Sequence, residues 1–101
     1  MLIRIVRMTF QPERTAEFLR IFQDSDALIR QMPGCLRLEL WQDADQPNIY
    51  CTHSHWASAE ALNAYRRSAL FGQVWPATKA LFAVPAQAFS VHQVSLPISQ
   101  P

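Results

Sequence analysis

Chemistry-bearing side chains gather in one stretch, Thr52 to Phe71, which holds His53, His55, Trp56, Tyr65 and Arg66 around an expected strand-to-helix junction. Cys51, His53 and His55 are spaced two apart, so an extended backbone puts all three on one side as Cys-x-His-x-His, a set of donors suited to zinc or copper. Strand neighbours do not by spacing alone converge on an ion or bring the supporting groups that orient a ligand. The competing reading seats these histidines among polar groups such as Arg37 and Glu39 on a protein-facing surface, and it is preferred, with no metal assigned. Trp56, Trp75, Phe71 and Phe82 are candidates for an aromatic-binding pocket, although core packing is the first use of large rings and is favoured for Phe71 and Phe82.

Tyr65 is placed to bury its ring and aim its hydroxyl at a ligand, with a core or interface role as the alternative. Arg66 and Arg67 fit a solvated helix face, while Arg66 has the further option of steadying a phenolate. Tyr65 and Arg66 are therefore the candidate catalytic pair. Trp56, Tyr50, Trp75, Phe71 and Arg4 form the candidate substrate-binding set. Arg4 shares an alternate set with Val6, so if that set faces a cavity its charge needs a partner. His92 reads as a strand-surface residue. No Ser-His-Asp order, Gly-rich phosphate loop or carboxylate pair offers a rival chemistry.

These residues must be positioned by a small domain. The chain has 101 residues, half of them hydrophobic and 17% charged, which excludes disordered and collagen-like classes. So apolar a chain of this length implies that a partner covers some of its surface. Nine Lys and Arg against eight Asp and Glu, with no basic run, argue against nucleic acid. No stretch is long and apolar enough for a membrane span, and Arg4 and Arg7 interrupt the first apolar run as no secretory signal would. Two cysteines without C-x-x-C spacing read as reduced thiols in a cytoplasmic protein, a disulfide between them being the lesser alternative.

Residues 2–10 read as a strand apolar on both sides, and Pro12 to Met32 as one long helix closed by Pro33-Gly34. From Cys35 the alternation puts Leu36, Leu38 and Leu40 on one face, and Cys35, Arg37, Glu39 and Trp41 on the other. A polar loop leads to a strand over 48–56, making a hairpin. Ser58 caps a second helix, and Gly72 and Pro76 predict a kink or a division into two short helices. A last strand spans 86–94. The resulting β-α-β-β-α-β order predicts an α+β, ferredoxin-like domain over 1–95 with a tail over 96–101. Its four-stranded antiparallel sheet carries the helices on one face, and the other face is paired in a homodimer.

With that order, several pieces bear a family signature: Gln11-Pro12-Glu13 after the first strand, Met32-Pro33-Gly34-Cys35-Leu36, Asp43 to Tyr50, Trp56-Ala57-Ser58 with Ala61-Leu62, Ala64-Tyr65, and Ser68-Ala69-Leu70-Phe71. Together they resemble the antibiotic biosynthesis monooxygenase superfamily of dimeric α+β barrels over roughly residues 2–94. The resemblance implies a cavity between sheet and helices in each subunit. It also implies oxygen chemistry on a small aromatic or quinol without a bound cofactor, with a non-catalytic ligand-binding or protective dimer as the alternative. Trp56 matches the tryptophan that closes the third strand in that family. Ser54 stands where many members have glutamate, Tyr65 where quinol-oxidising members often have histidine, and Leu70 where a second histidine is common. The axial histidine of the heme-degrading branch falls on Trp75, and its first-strand asparagine on Val6. An indole N–H cannot ligate iron and a valine cannot hydrogen-bond an iron-bound oxygen, so heme is not expected.

Overall fold

The computed structural model describes residues 1–96. Strand β1 (Leu2–Thr9) leads through a 3₁₀ turn at Pro12–Arg14 into helix α1 (Thr15–Arg30); β2 (Cys35–Gln42) and β3 (Ile49–Trp56) follow, then α2 (Ala59–Arg66), α3 (Ala69–Lys79) and β4 (Gln87–Val91). The four strands form one antiparallel sheet in the order β2-β3-β1-β4, the ferredoxin-like arrangement. The expected final strand is shorter than 86–94, and the expected tail over 96–101 falls, from Pro97 on, outside the described residues.

Register fixes which side chains share a face. Leu38, Ser54, Arg4 and Ser90 lie in one row across the sheet, and Leu40, Thr52, Val6 and Ala88 in a parallel row. Both rows face the helices. The intervening rows, Glu39-His53-Ile5-Phe89 and Arg37-His55-Ile3-Val91, face away from them. One expectation fails here: a β-bulge between Cys35 and Arg37 sets Cys35 opposite Trp56, so Cys35 leaves the Arg37 face and packs with Trp56, Leu2 and Leu62. A bulge adds one residue to one strand and reverses the alternation beyond it, which strict period-two reading does not anticipate. Leu36, at the irregularity, is left exposed.

The helical region is divided, but not where Gly72 and Pro76 predict. The break falls at Arg67–Ser68: the Ser68 hydroxyl donates to the Tyr65 carbonyl at 2.6 Å and accepts from the Phe71 N–H at 3.2 Å, closing α2 and capping α3. Gly72 and Pro76 both sit inside α3, and the Pro76 carbonyl still accepts from the Ala80 N–H. A serine that satisfies backbone groups on both sides of a junction outweighs one missing donor. Ser58 caps α2 as expected, accepting from the Ala61 N–H.

Gly34 joins α1 to β2 with φ of +82°, and a Cβ there would lie 2.5 Å from the Ala61 Cβ. Conformation and close approach to α2 both require glycine at this position. The core is double. Met8, Phe10, Phe18, Tyr50 and Leu81 form one cluster, and Leu2, Trp56 and Leu62 form another.

Candidate functional site

Members of both clusters wall a cavity of about 250 Å³ between the sheet and the three helices: Met8 and Phe18 from one, Trp56 and Leu62 from the other. An apolar cavity of about 150 Å³ accommodates a benzene ring, so this space suits a compact aromatic. β1 contributes Arg4, Val6 and Met8 to the wall; β3 contributes Thr52, Ser54 and Trp56. Alternation makes each trio a single stripe.

Trp56, 1% exposed, closes β3 and donates its indole N–H to the Ser54 hydroxyl at 2.9 Å. Its ring stacks on Tyr65 with centroids 5.1 Å apart, Tyr65 meets Phe71 edge-on at 5.2 Å, and Phe71 stacks on Trp75 at 5.8 Å. All four aromatics line the cavity. The expected set of Trp56, Tyr65, Arg66, Phe71, Trp75 and Arg4 is thus brought together. Tyr50 is not. It belongs to the Phe10–Phe18 cluster, is 6% exposed, and its hydroxyl accepts from the Gln42 amide at 3.2 Å, outside the cavity wall. The physical reason is its place at the start of β3, opposite Met8, where the wall gives way to packed phenylalanines. Phe82 likewise packs against that cluster, as its core reading requires.

Polarity in the cavity is one-sided. The Ser25 and Thr78 hydroxyls donate to carbonyls of their own helices, Ile21 and Val74, and so offer little to a ligand. Arg4 and Arg66 supply the charge. Burial, and secondarily the Arg66 charge, push the Arg4 guanidinium below its usual value; its Nη1 donates to the Ser90 hydroxyl at 3.2 Å, a neutral partner from the same row. Burial pushes the Tyr65 phenol from 10.0 up to about 12, with a smaller contribution from Cys35, so at neutral pH Tyr65 is a hydrogen-bond donor rather than a base. The Cys35 thiol is itself pushed up by burial.

Spacing in the sequence does not single out Thr52, Phe18, Phe22, Val74 or Thr78 as wall residues, nor Ser54 as the partner of Trp56. For Thr52 and Ser54 a signal exists: they lie four and two residues before Trp56 on the same strand face.

The histidines occupy the opposite face. His53 stacks on Trp41 at 4.4 Å, its Nδ1 lies 3.7 Å from Glu39, and its Nε2 lies 3.4 Å from the Nε2 of His55. Glu39 is engaged by Arg37 at 2.7 Å and by the Trp41 indole at 3.2 Å, and its carboxyl is held below the usual range, first by the Arg37 hydrogen bond. Desolvation, then His53 and Arg37, lower His55 from its usual value. Among the described residues no group of three or more His, Cys, Asp and Glu side chains is arranged to hold a metal ion, so Cys51 does not complete a site with the histidine pair.

Comparison with known proteins follows the fold. The family model described as antibiotic biosynthesis monooxygenase matches residues 1–75. A crystal structure of an antibiotic biosynthesis monooxygenase superposes with a TM-score of 0.89 at 22% identity, covering 94% of this chain and 100% of the other. A conserved protein from Methanosarcina mazei gives 0.87 at 19% identity, with 93% and 94% covered. A protein from Pseudomonas aeruginosa gives 0.83 at 20%, with 93% and 94% covered. No curated protein matches the sequence.

Proposed function

The chain belongs to the antibiotic biosynthesis monooxygenase family, and from that premise we propose that its cavity binds a small aromatic or quinol substrate and directs oxidation by dioxygen without a bound cofactor. The observation that carries this reading is the cavity between sheet and helices whose wall brings together Trp56, Tyr65, Phe71, Trp75, Arg4 and Arg66. Aromatic walls select a flat ring, and two guanidiniums with a phenol donor favour negative charge on its oxygen. A phenolate is a far better electron donor to dioxygen than its phenol. For a phenol with an unsubstituted ring carbon, oxygen insertion balances as phenol plus dioxygen giving quinone plus water. One oxygen atom enters the ring, the other leaves as water, and the substrate supplies all the electrons. In this scheme Tyr65 and Arg66 stabilise the oxyanion, Arg4 binds the same charge, and Trp56, Phe71 and Trp75 position the ring.

Oxygen uptake with a panel of hydroquinones and electron-rich phenols tests the reading, with quinone formed in step with oxygen consumed; no uptake on any member overturns it. A second reading, a ligand-binding or protective protein without turnover, draws on the absence of carboxylate and imidazole from the cavity wall among the described residues. Ligand-induced thermal stabilisation with no oxygen consumption would favour it.

The face away from the helices supports a homodimer. Trp41 is 47% exposed, Phe89 48% and Val91 38%, and with Ile3 and Ile5 they form an apolar surface of the kind that closes against a second copy. Light scattering should give twice the monomer mass, and Phe89→Glu should lower it. No helix among the described residues is long and apolar enough to cross a membrane. Cys35 and Cys51 are free thiols on opposite faces of the sheet, which supports a reducing, cytoplasmic setting.

A further inference from the structure

The cavity holds charge of one sign and lacks any means of creating the opposite one. Its wall includes Arg4 and Arg66 but, among the described residues, no aspartate, glutamate or histidine. Neither guanidinium forms an ion pair with a carboxylate among the described residues. Asp24 lines a separate groove between α1 and α3, which shares Ile21, Ser25 and Val74 with the cavity wall. His53 and His55 are on the far side of the sheet, directed away by strand alternation. Of the remaining ionisable side chains near the cavity, Tyr65 stays a protonated phenol, and Cys35, packed beside it, stays a thiol.

Two like charges close enough to interact, at the edge of an apolar space, raise the energy of the empty protein. An anion relieves that repulsion. A neutral phenol relieves it only after losing a proton, and no group in the wall is suited to take one. Resting on the proposed aromatic oxidation site, we propose that the natural ligand enters this cavity already ionised. Its class is a compact one- or two-ring aromatic with a strongly acidic enol or phenol, the hydroxyl made acidic by a conjugated carbonyl. The oxyanion is held by Arg4 and Arg66, with the Tyr65 hydroxyl as a neutral donor. Such a ligand brings both the negative charge that the arginines recognise and the electron density that dioxygen needs. Ordinary hydroquinones, un-ionised at neutral pH, are poorer ligands by this account.

The charge requirement can be isolated with two probes of nearly equal shape: hydroxynaphthoquinone, an enolate at neutral pH, and its neutral methyl ether. Both are already oxidised, so binding is read without turnover, through quenching of tryptophan fluorescence. The expected result is at least about tenfold tighter binding of the enolate, a difference of about 1.4 kcal/mol. That preference should collapse to near unity in the Arg4→Gln/Arg66→Gln double variant while its affinity for the ether is unchanged. The ether also reports whether the variant's cavity is intact. Equal binding of the two probes by the native protein overturns the anion assignment and leaves the aromatic site standing. Binding of neither probe, together with no oxygen uptake on phenols, overturns both. An enolate preference that survives the double variant places the anion elsewhere and also overturns the assignment.

Discussion

On the helix-covered face of the sheet, the row Leu38-Ser54-Arg4-Ser90 borders a cavity whose only charged groups among the described residues are guanidiniums; one pleat away, Glu39-His53-Ile5-Phe89 lies on the open face with carboxylate and imidazole together. The two histidines, whose spacing with Cys51 invites a metal reading in the sequence, are therefore on the side without the cavity, and Tyr65 and Arg66, the candidate catalytic pair, are on the side with it. His53 and His55 contact each other, Trp41 and Glu39, and they reach the cavity side nowhere. Titratable side chains alone do not mark a site. A concave space between sheet and helices is the better guide, and here it comes with aromatic walls and a surplus of positive charge.

Variants on the two faces should differ in kind. The largest effect is expected from Trp56→Ala, which empties a side chain packed in both core and cavity wall and should cost about 3–5 kcal/mol in urea unfolding. A loss below about 1 kcal/mol would mean that Trp56 does not hold the cavity's shape. Gly34→Ala forces a side chain into a left-handed backbone and against Ala61, and should cost more than about 1 kcal/mol.

Ser54→Ala leaves the buried Trp56 indole N–H without its acceptor, for a loss of about 1–3 kcal/mol. On the open face His53→Gln and His55→Gln should each shift unfolding far less than Ser54→Ala, and metal analysis of tag-free protein should find no stoichiometric zinc, copper or iron. Stoichiometric metal, lost in both histidine variants, would restore a site to the open face.

The pH behaviour sharpens the same contrast. In the folded protein the Tyr65 phenol is raised from 10.0 to about 12, so its contribution is fully present below pH 10. Between those values the unfolded chain has lost the proton that the folded one keeps, and stability falls as pH rises through the folded pKa. Native protein should lose about 2–3 kcal/mol more than Tyr65→Phe across that window. On the open face, NMR should find His55 titrating below its usual value of 6.5, and lower still in Glu39→Gln, because the Glu39 charge opposes the shift.

The element order, the sheet and the cavity-facing stripe of Arg4 and Val6 were legible in the sequence because β-branched runs, strict alternation and the Ser58 cap are local signals. What was not legible depends on events between elements. The bulge that turns Cys35 toward Trp56 leaves no compositional mark, and Ser68 divides the helices by a hydrogen bond to Tyr65 that helix propensity does not register. Tyr50 and Trp56 both lie on β3 with aromatic character and even spacing. Only the packing of Phe18 from α1, together with Phe10, against Tyr50 assigns one to solid core and the other to the cavity wall.

The central claim is that the helix-side cavity, and not the histidine face, carries the chemistry. Oxygen uptake on electron-rich phenols tests it most directly, measured side by side for native protein, Tyr65→Phe, Arg66→Gln and the His53→Gln/His55→Gln double variant. Loss of one oxyanion-stabilising donor typically lowers turnover on the order of a hundredfold. That loss is expected for Tyr65→Phe and Arg66→Gln, with the histidine variant retaining more than about half of native activity; full activity in the cavity variants and abolition in the histidine variant would contradict the account.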